Sequence, residues 1–211
     1  PPAGRIPVQD VAAATRAGTA ARRLTVSSSP EILLDQDGLA RVVQRLAAEL
    51  SERYDDGVVL VAVLRGSVPF MADLVRAMTI RTTVDFVALS PYTPNTGRVR
   101  LVMDVATNLE GRDVVIIEDI VDTGLTSAFL VGELRRRAPK SVSLCTLVDR
   151  PARRVVPVEI DHTGIQIEDR FVIGYGLDFE GRYRNLQVLA AADADVLTAD
   201  PDAYVEALYG A

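Results

Sequence analysis

The chain has 211 residues, 48% of them hydrophobic and 25% charged, with a formal net charge of -6. That is enough chain for one sizeable core. An acidic balance excludes general nucleic-acid affinity, which needs a dense cationic face, and no run approaches the ~20 apolar residues that span a bilayer. Cys145 is the only cysteine, so an intrachain disulfide and a thiolate metal cluster are excluded. Lys140 is the only lysine among 23 basic residues.

Residues 1–30 are expected to form an N-terminal arm, rich in Ala, Arg, Gly and Thr up to residue 23 and broken at Ser27–Pro30. Nothing in it reads as a charged-then-apolar secretion signal, so a cytoplasmic location is expected. Glu31–Leu34 can form a short strand. Asp35 or Asp37 can cap a helix in which Leu39, Val42, Val43, Leu46, Ala47 and Leu50 recur at helical spacing.

Val58–Leu64 reads as a buried strand ending in Arg65-Gly66-Ser67. A basic residue and a glycine just past a strand can hold a pyrophosphate through backbone amides and a charged arm. A plain strand-to-helix turn, with Ser67 as cap, accounts for the same residues. The helix after it, residues 68–78, has a long apolar face that could serve as an interface. Thr82–Leu89 is a further strand, and residues 90–97 form a long polar loop with two prolines and a glycine before a strand from Arg98 to Met103. Long loops of this kind often act as lids.

Four successive β-branched residues, Val114–Ile117, are too apolar for a half-exposed strand and predict a central strand buried on both faces. Glu118 and Asp119 follow where the strand should leave the core, at the end of an open sheet where ligands bind. Asp122-Thr123-Gly124-Leu125-Thr126 then forms a turn into a helix beginning near Thr126. Unpaired amides at that helix start, with the hydroxyls of Thr123, Thr126 and Ser127, would cradle a phosphate. The two acids suit ribose hydroxyls or a divalent metal. Ordinary α/β units also place acids and threonines at helix starts as caps.

The helix should run to Ala138 with Phe129, Leu130 and Leu134 inward, stopped by Pro139. Val142–Val148 is the next buried strand, with Cys145 as small filler and Asp149 and Arg150 at its end. Alternation of strand and helix from 58 to 148 specifies a parallel sheet with helices on both faces. The fold class is thus α/β, a central, mainly parallel twisted sheet flanked by helices, with core residues 31–150.

From Pro151 the pattern changes. Short runs at 155–160, 164–167 and 171–174 suggest a small antiparallel hood, residues 151–189, that completes the core. His162, the only histidine, falls in an expected turn as a solvated or locally bonded side chain. Phe171, the Val172 backbone, Asp178 and Arg184 could assemble a site for a flat heterocycle. They could equally be core and surface ion-pair residues. Residues 190–211 read as an acidic tail, with a capped helix over 200–208.

Two strings carry a resemblance. Residues 114–126, four apolar residues then Glu-Asp-x-x-Asp-Thr-Gly-x-Thr, resemble the 5-phosphoribosyl-1-pyrophosphate (PRPP) motif of type I phosphoribosyltransferases. Residues 171–186 resemble the C-terminal segment of the hypoxanthine-guanine members. The likeness spans roughly residues 31–189 and implies the type I phosphoribosyltransferase fold and transfer of phosphoribose from PRPP to hypoxanthine or guanine in purine salvage.

By that resemblance Asp122 is the catalytic base, and Glu118, Asp119 and residues 122–126 hold the phosphoribosyl group. Arg65, Gly66 and Arg184 meet the pyrophosphate, and the Leu64–Arg65 peptide is often cis in the family. Phe171 stacks on the purine and the Val172 backbone bonds its edge. Asp178, with Glu118 and Asp119, holds Mg²⁺. Arg150 stands where the family usually has a lysine that donates to the 6-oxo group, and the two are not equivalent. The lid loop usually carries Ser-Tyr, whereas here Pro91 precedes the candidate contact Tyr92 and Ser90 lies one place earlier. A homodimer or homotetramer is implied. A nucleotide-sensing regulator on the same fold, or an enzyme for xanthine or another base, are the alternatives.

Overall fold

The computed structural model describes residues 29–90 and 100–210. In chain order it runs β1 (Glu31–Leu34), α1 (Gln36–Arg53), β2 (Val58–Leu64), α2 (Val68–Ala77), β3 (Thr82–Leu89), β4 (Leu101–Met103), β5 (Asp113–Val121) and α3 (Leu125–Arg135). There follow β6 (Ser141–Asp149), a 3-10 turn (Pro151–Arg153), β7 (His162–Gln166), β8 (Phe171–Ile173), β9 (Leu189–Ala192), α4 (Ala194–Ala199) and α5 (Val205–Tyr209). One sheet has six strands in the order β4-β3-β2-β5-β6-β7, and the other three in the order β1-β9-β8. All pairings in the larger sheet are parallel except β3 with β4.

The apolar strands are buried on both faces. Along β5, Val115 and Ile117 enter one core with Leu39, Leu46, Leu50 and Phe70, while Val114 and Ile116 enter the other with Leu130, Leu134 and Leu144. Successive side chains of a strand point to opposite faces, so a run without polar alternation requires helices on both sides. Each such fully buried aliphatic side chain contributes about 1.5–3 kcal/mol. Asp35 caps α1, its carboxylate accepting from the Gly38 amide at 2.7 Å.

Several elements depart from expectation. β5 does not stop at Ile117. Its partner β6 reaches Asp149, so pairing continues through Glu118 with Thr146 and Ile120 with Val148. Helix α3 ends at Arg135 rather than Ala138, because the residue before a proline disfavours helical backbone and Ala138 turns to φ 52. Phe129 is only partly buried, while Leu130 and Leu134 are the inward residues. Ser67 makes no side-chain cap, its hydroxyl donating instead to the Val63 carbonyl at 2.5 Å.

The run at 164–167 belongs to the main sheet, not the hood, since β7 pairs parallel with β6. The crossover that brings it there, 150–161, contains no α-helix, which is why the usual parallel signature is missing. His162 opens β7 instead of lying in a turn, and its buried Nδ1 sits 3.3 Å from Glu49 Oε2. The hood is built from β1, β8 and β9. Ala190–Ala192, expected at the head of an acidic tail, lie in its middle strand, where Ala190 and Ala191 are buried. Beyond it Asp193 caps α4, and Leu197 and Tyr204 pack onto Ile173, Tyr183 and Leu186. The expected terminal helix is shorter, beginning at Val205. Residues 1–28 of the arm, and the lid loop from Pro91 with Tyr92, lie outside the described residues.

Candidate active site

Three strand ends and one hood turn meet at the carboxyl edge of the main sheet. β2 ends in a cis Leu64–Arg65 peptide. Gly66 then lies against the Asp119 carboxylate so closely that an added Cβ would overlap it. On its other side Gly176, at φ 103, lies against the Gly66 carbonyl with the same intolerance for a side chain. Glycine is required at both positions because backbone and carboxylate occupy the space a side chain would take.

Arg184 completes this corner. Its Nη1 donates to the Gly176 carbonyl at 2.6 Å and its Nη2 pairs with Asp178 Oδ1 at 2.6 Å. The other Asp178 oxygen accepts from the Gly181 amide at 2.7 Å. Burial pushes the Asp119 carboxyl up to about 6. The Ile120 amide, at 2.9 Å, and the charge of Arg184 oppose that rise, while the charge of Asp178 adds to it.

Glu118 is placed differently. As the neighbour of Asp119 in a paired strand it faces the opposite side of the sheet, where it is 4% exposed and accepts from the Ser127 hydroxyl at 3.3 Å. Burial, then the nearby charge of Asp119, holds its carboxyl well above the usual range. The expectation that both acids stand where the strand leaves the core is therefore corrected, because the strand continues to Val121. Ser127 likewise points to Glu118 rather than into the phosphate cradle.

Residues 122–126, the expected cradle, form the turn from β5 into α3. Gly124, at φ 82, is the N-cap of α3. The carbonyls of the preceding turn are all drawn to one side: Val121 O accepts from the Arg150 amide at 3.0 Å, Asp122 O from Arg154 Nε at 2.9 Å, and Thr123 O from the Val155 and Val156 amides at 2.9 and 3.0 Å. With the carbonyls turned away, the amides opening α3 have no partner within the helix and present the positive end of its dipole. A Cβ at Gly124 would overlap the Val156 carbonyl. Arg154, which also pairs with Asp149, is a bracing residue that sequence reasoning missed. The only available signal is its place among the arginines after β6.

Asp122 and the hood are joined by Arg150. Its Nη2 and Nε meet the two Asp122 oxygens at 2.7 and 3.1 Å, and its Nη1 donates to the Arg170 carbonyl at 2.6 Å. Phe171 follows, its ring edge-on to Phe179 at 5.9 Å, and Val172 is buried in pairing with Ala191. A cavity of about 600 Å³ between α1, α2 and residues 184–187 takes in Arg184 but none of the other expected site residues. Among the described residues no three His, Cys, Asp or Glu side chains form a self-sufficient metal cage.

The phosphoribosyl transferase domain matches residues 29–180. A hypoxanthine-guanine phosphoribosyltransferase of Bacillus subtilis is 41% identical over 160 residues, covering 74% of this chain and 89% of the relative. The chain belongs to the hypoxanthine-guanine phosphoribosyltransferase family.

The hypoxanthine-guanine-xanthine phosphoribosyltransferase of Tritrichomonas foetus is 40% identical over 171 residues, 79% of this chain and 93% of the relative. A solved hypoxanthine phosphoribosyltransferase from Staphylococcus aureus superposes with a TM-score of 0.75 at 35% identity, covering 79% of this chain and 92% of that one. Membership in this family of enzymes disposes of the non-catalytic regulator and fixes the class of reaction as phosphoribosyl transfer in purine salvage. It also gives the shared fold, a mostly parallel sheet with flanking helices and a small antiparallel hood. Both α4 and α5 lie beyond the matched domain.

Proposed function

We propose that this enzyme transfers the 5-phosphoribosyl group of PRPP to a 6-oxopurine, hypoxanthine or guanine, giving IMP or GMP and pyrophosphate. The observation that carries the reading is the turn at 122–126, whose carbonyls are tied back while its amides open a helix beside an acid–arginine corner. The 5′-phosphate is bound by the amides of Thr123, Gly124, Leu125 and Thr126 with the two threonine hydroxyls. The base lies on Phe171, with its edge on the Val172 backbone. N9 attacks C1′ as the bond from C1′ to the pyrophosphate oxygen breaks, and Asp122 accepts the proton at N7. Arg184 and the Arg65–Gly66 loop stabilise the negative charge gathering on the leaving group.

Magnesium fits the donors present. The ion takes oxygen ligands, keeps several waters and uses one or two carboxylates together with substrate phosphates. Asp119 and Asp178 offer such oxygens beside Arg184, whereas Glu118, on the opposite face of the strand with Ser127, stands apart from them. When bound, the ion neutralises charge on the pyrophosphate. A homo-oligomer belongs to the same reading by family likeness; the apolar face of α2 is not its interface, since Phe70, Met71 and Leu74 are buried in the core.

The test is a panel of bases with PRPP and Mg²⁺: hypoxanthine, guanine, xanthine, adenine and uracil, reading nucleotide and pyrophosphate. A 6-oxopurine is expected to exceed adenine by about 100-fold or more in kcat/KM. Transfer to none of the five overturns the proposal. Xanthine as the best substrate would favour a second reading, suggested by the breadth in the name of the Tritrichomonas relative.

A further inference from the structure

Arg150 is 6% exposed, and its guanidinium is spent within the protein. Two nitrogens grip both oxygens of Asp122 and the third holds the carbonyl of Arg170, immediately before Phe171. Its own amide donates to Val121 at 3.0 Å. One side chain at the end of β6 thus links the end of β5 to the start of β8. The planar fork of arginine allows this, since its donors diverge in fixed directions, whereas a lysine has one nitrogen on a flexible stem. The Asp122 side chain is otherwise a third exposed, so the Arg150 fork is what fixes its carboxylate. Proton transfer is sensitive to misplacement of this kind, and an error of ~1 Å can cost about 100-fold in rate.

We propose that Arg150 is a positioning residue: it holds the Asp122 carboxylate in register with the strand on which the base lies, and does not itself read the 6-position of the purine. This rests on the reading of Asp122 as proton acceptor. Selectivity for the base then resides in the β8 backbone. The two roles open to Arg150 separate kinetically, because a group that bonds the 6-oxo oxygen contributes to base affinity and discrimination, whereas a clamp on the acceptor contributes to turnover.

Arg150→Met is expected to lower kcat by about 10- to 100-fold, with KM for hypoxanthine within threefold and the preference for hypoxanthine over adenine retained. Arg150→Lys, which keeps the charge beside Asp122, should recover part of the loss and serves alone if the methionine variant does not fold. In an Asp122→Asn background, Arg150→Met should reduce kcat no further, since the two act as one unit. A tenfold rise in KM with kcat unchanged, or a collapse of the hypoxanthine preference, would show that Arg150 reads the base and would overturn the proposal. Independent, multiplicative losses in the double variant would overturn it too. Near-normal turnover of Asp122→Asn alone removes the proton acceptor, a separate failure that a kinetic change in Arg150→Met by itself does not mimic.

Discussion

Strand β5 contains two regions that share one backbone ladder and differ in everything else. Val114–Ile117 are fully buried and their side chains gain by leaving water. Glu118 and Asp119 are paired to the sheet by the same pattern, yet burial raises both carboxyls above their ordinary range. Hydrogen bonding of the main chain does not tell the halves apart; side-chain solvation does. The first half supplies stability, and the second half uses part of it to keep acids, a glycine contact and a helix start in a fixed arrangement.

The contrast is tested most severely at the far end of this region. Asp122→Asn should reduce kcat about 10²- to 10⁴-fold, some 3–5 kcal/mol of activation free energy, while PRPP binding stays close to the parent value and the thermal midpoint falls, because the buried Arg150 guanidinium loses its anionic partner. Steady-state kinetics with a PRPP titration decide it, and near-normal turnover would sink the assignment. Next in size, Ile116→Ala should cost about 2–5 kcal/mol of stability, lowering the unfolding midpoint by roughly 4–20 °C. Its activity per folded molecule should be preserved. Calorimetry showing a shift under ~1 °C would deny the first half its stabilising role.

What can be read in the chain follows the same division. Val58–Leu64 and Val114–Ile117 are legible as doubly buried strands because an unbroken apolar run leaves no polar face to turn toward water. Residues 122–126 are legible because a glycine between threonines at a helix start has a definite use. Beyond local pattern the sequence is silent. Nothing local in Glu118 says that the strand continues past it, because the cause is the length of β6. Ala190 and Ala191 carry no strand preference, so the middle strand of the hood reads as a tail. The clamp made by Arg150 joins residues far apart in sequence, and only the folded chain shows it.

A smaller change probes the second half from the side of Gly66. In Gly66→Ala the new methyl must displace the Asp119 carboxylate, at a cost of about 1–3 kcal/mol. The expected result is a higher KM for PRPP with a modest loss in the thermal midpoint, measured by pyrophosphate release and by calorimetry. An unchanged KM would mean that the Gly66–Asp119 contact is mere packing.

The smallest effect has an unusual sign. Asp119 titrates at about 6 in the folded chain against an ordinary 3.8, so the folded state binds that proton more tightly than the unfolded state does. The stability it contributes is fully present below ~3.8 and is lost as pH rises through ~6. Above that window a charge stands where solvation is poor. Asp119→Asn removes the charge, keeps an oxygen for the Ile120 amide, and also relieves Glu118 of the neighbour that raises its carboxyl. In metal-free buffer at pH 8 the variant should therefore melt above the parent by about 2–4 °C, corresponding to ~1 kcal/mol once partial exposure is discounted. The difference should vanish near pH 4. Catalysis should fall in the same variant, because the acid that burdens the fold is the one assigned to the sugar and the metal. If the substitution instead destabilised the protein at pH 8, Asp119 would belong with the first half of the strand rather than the second.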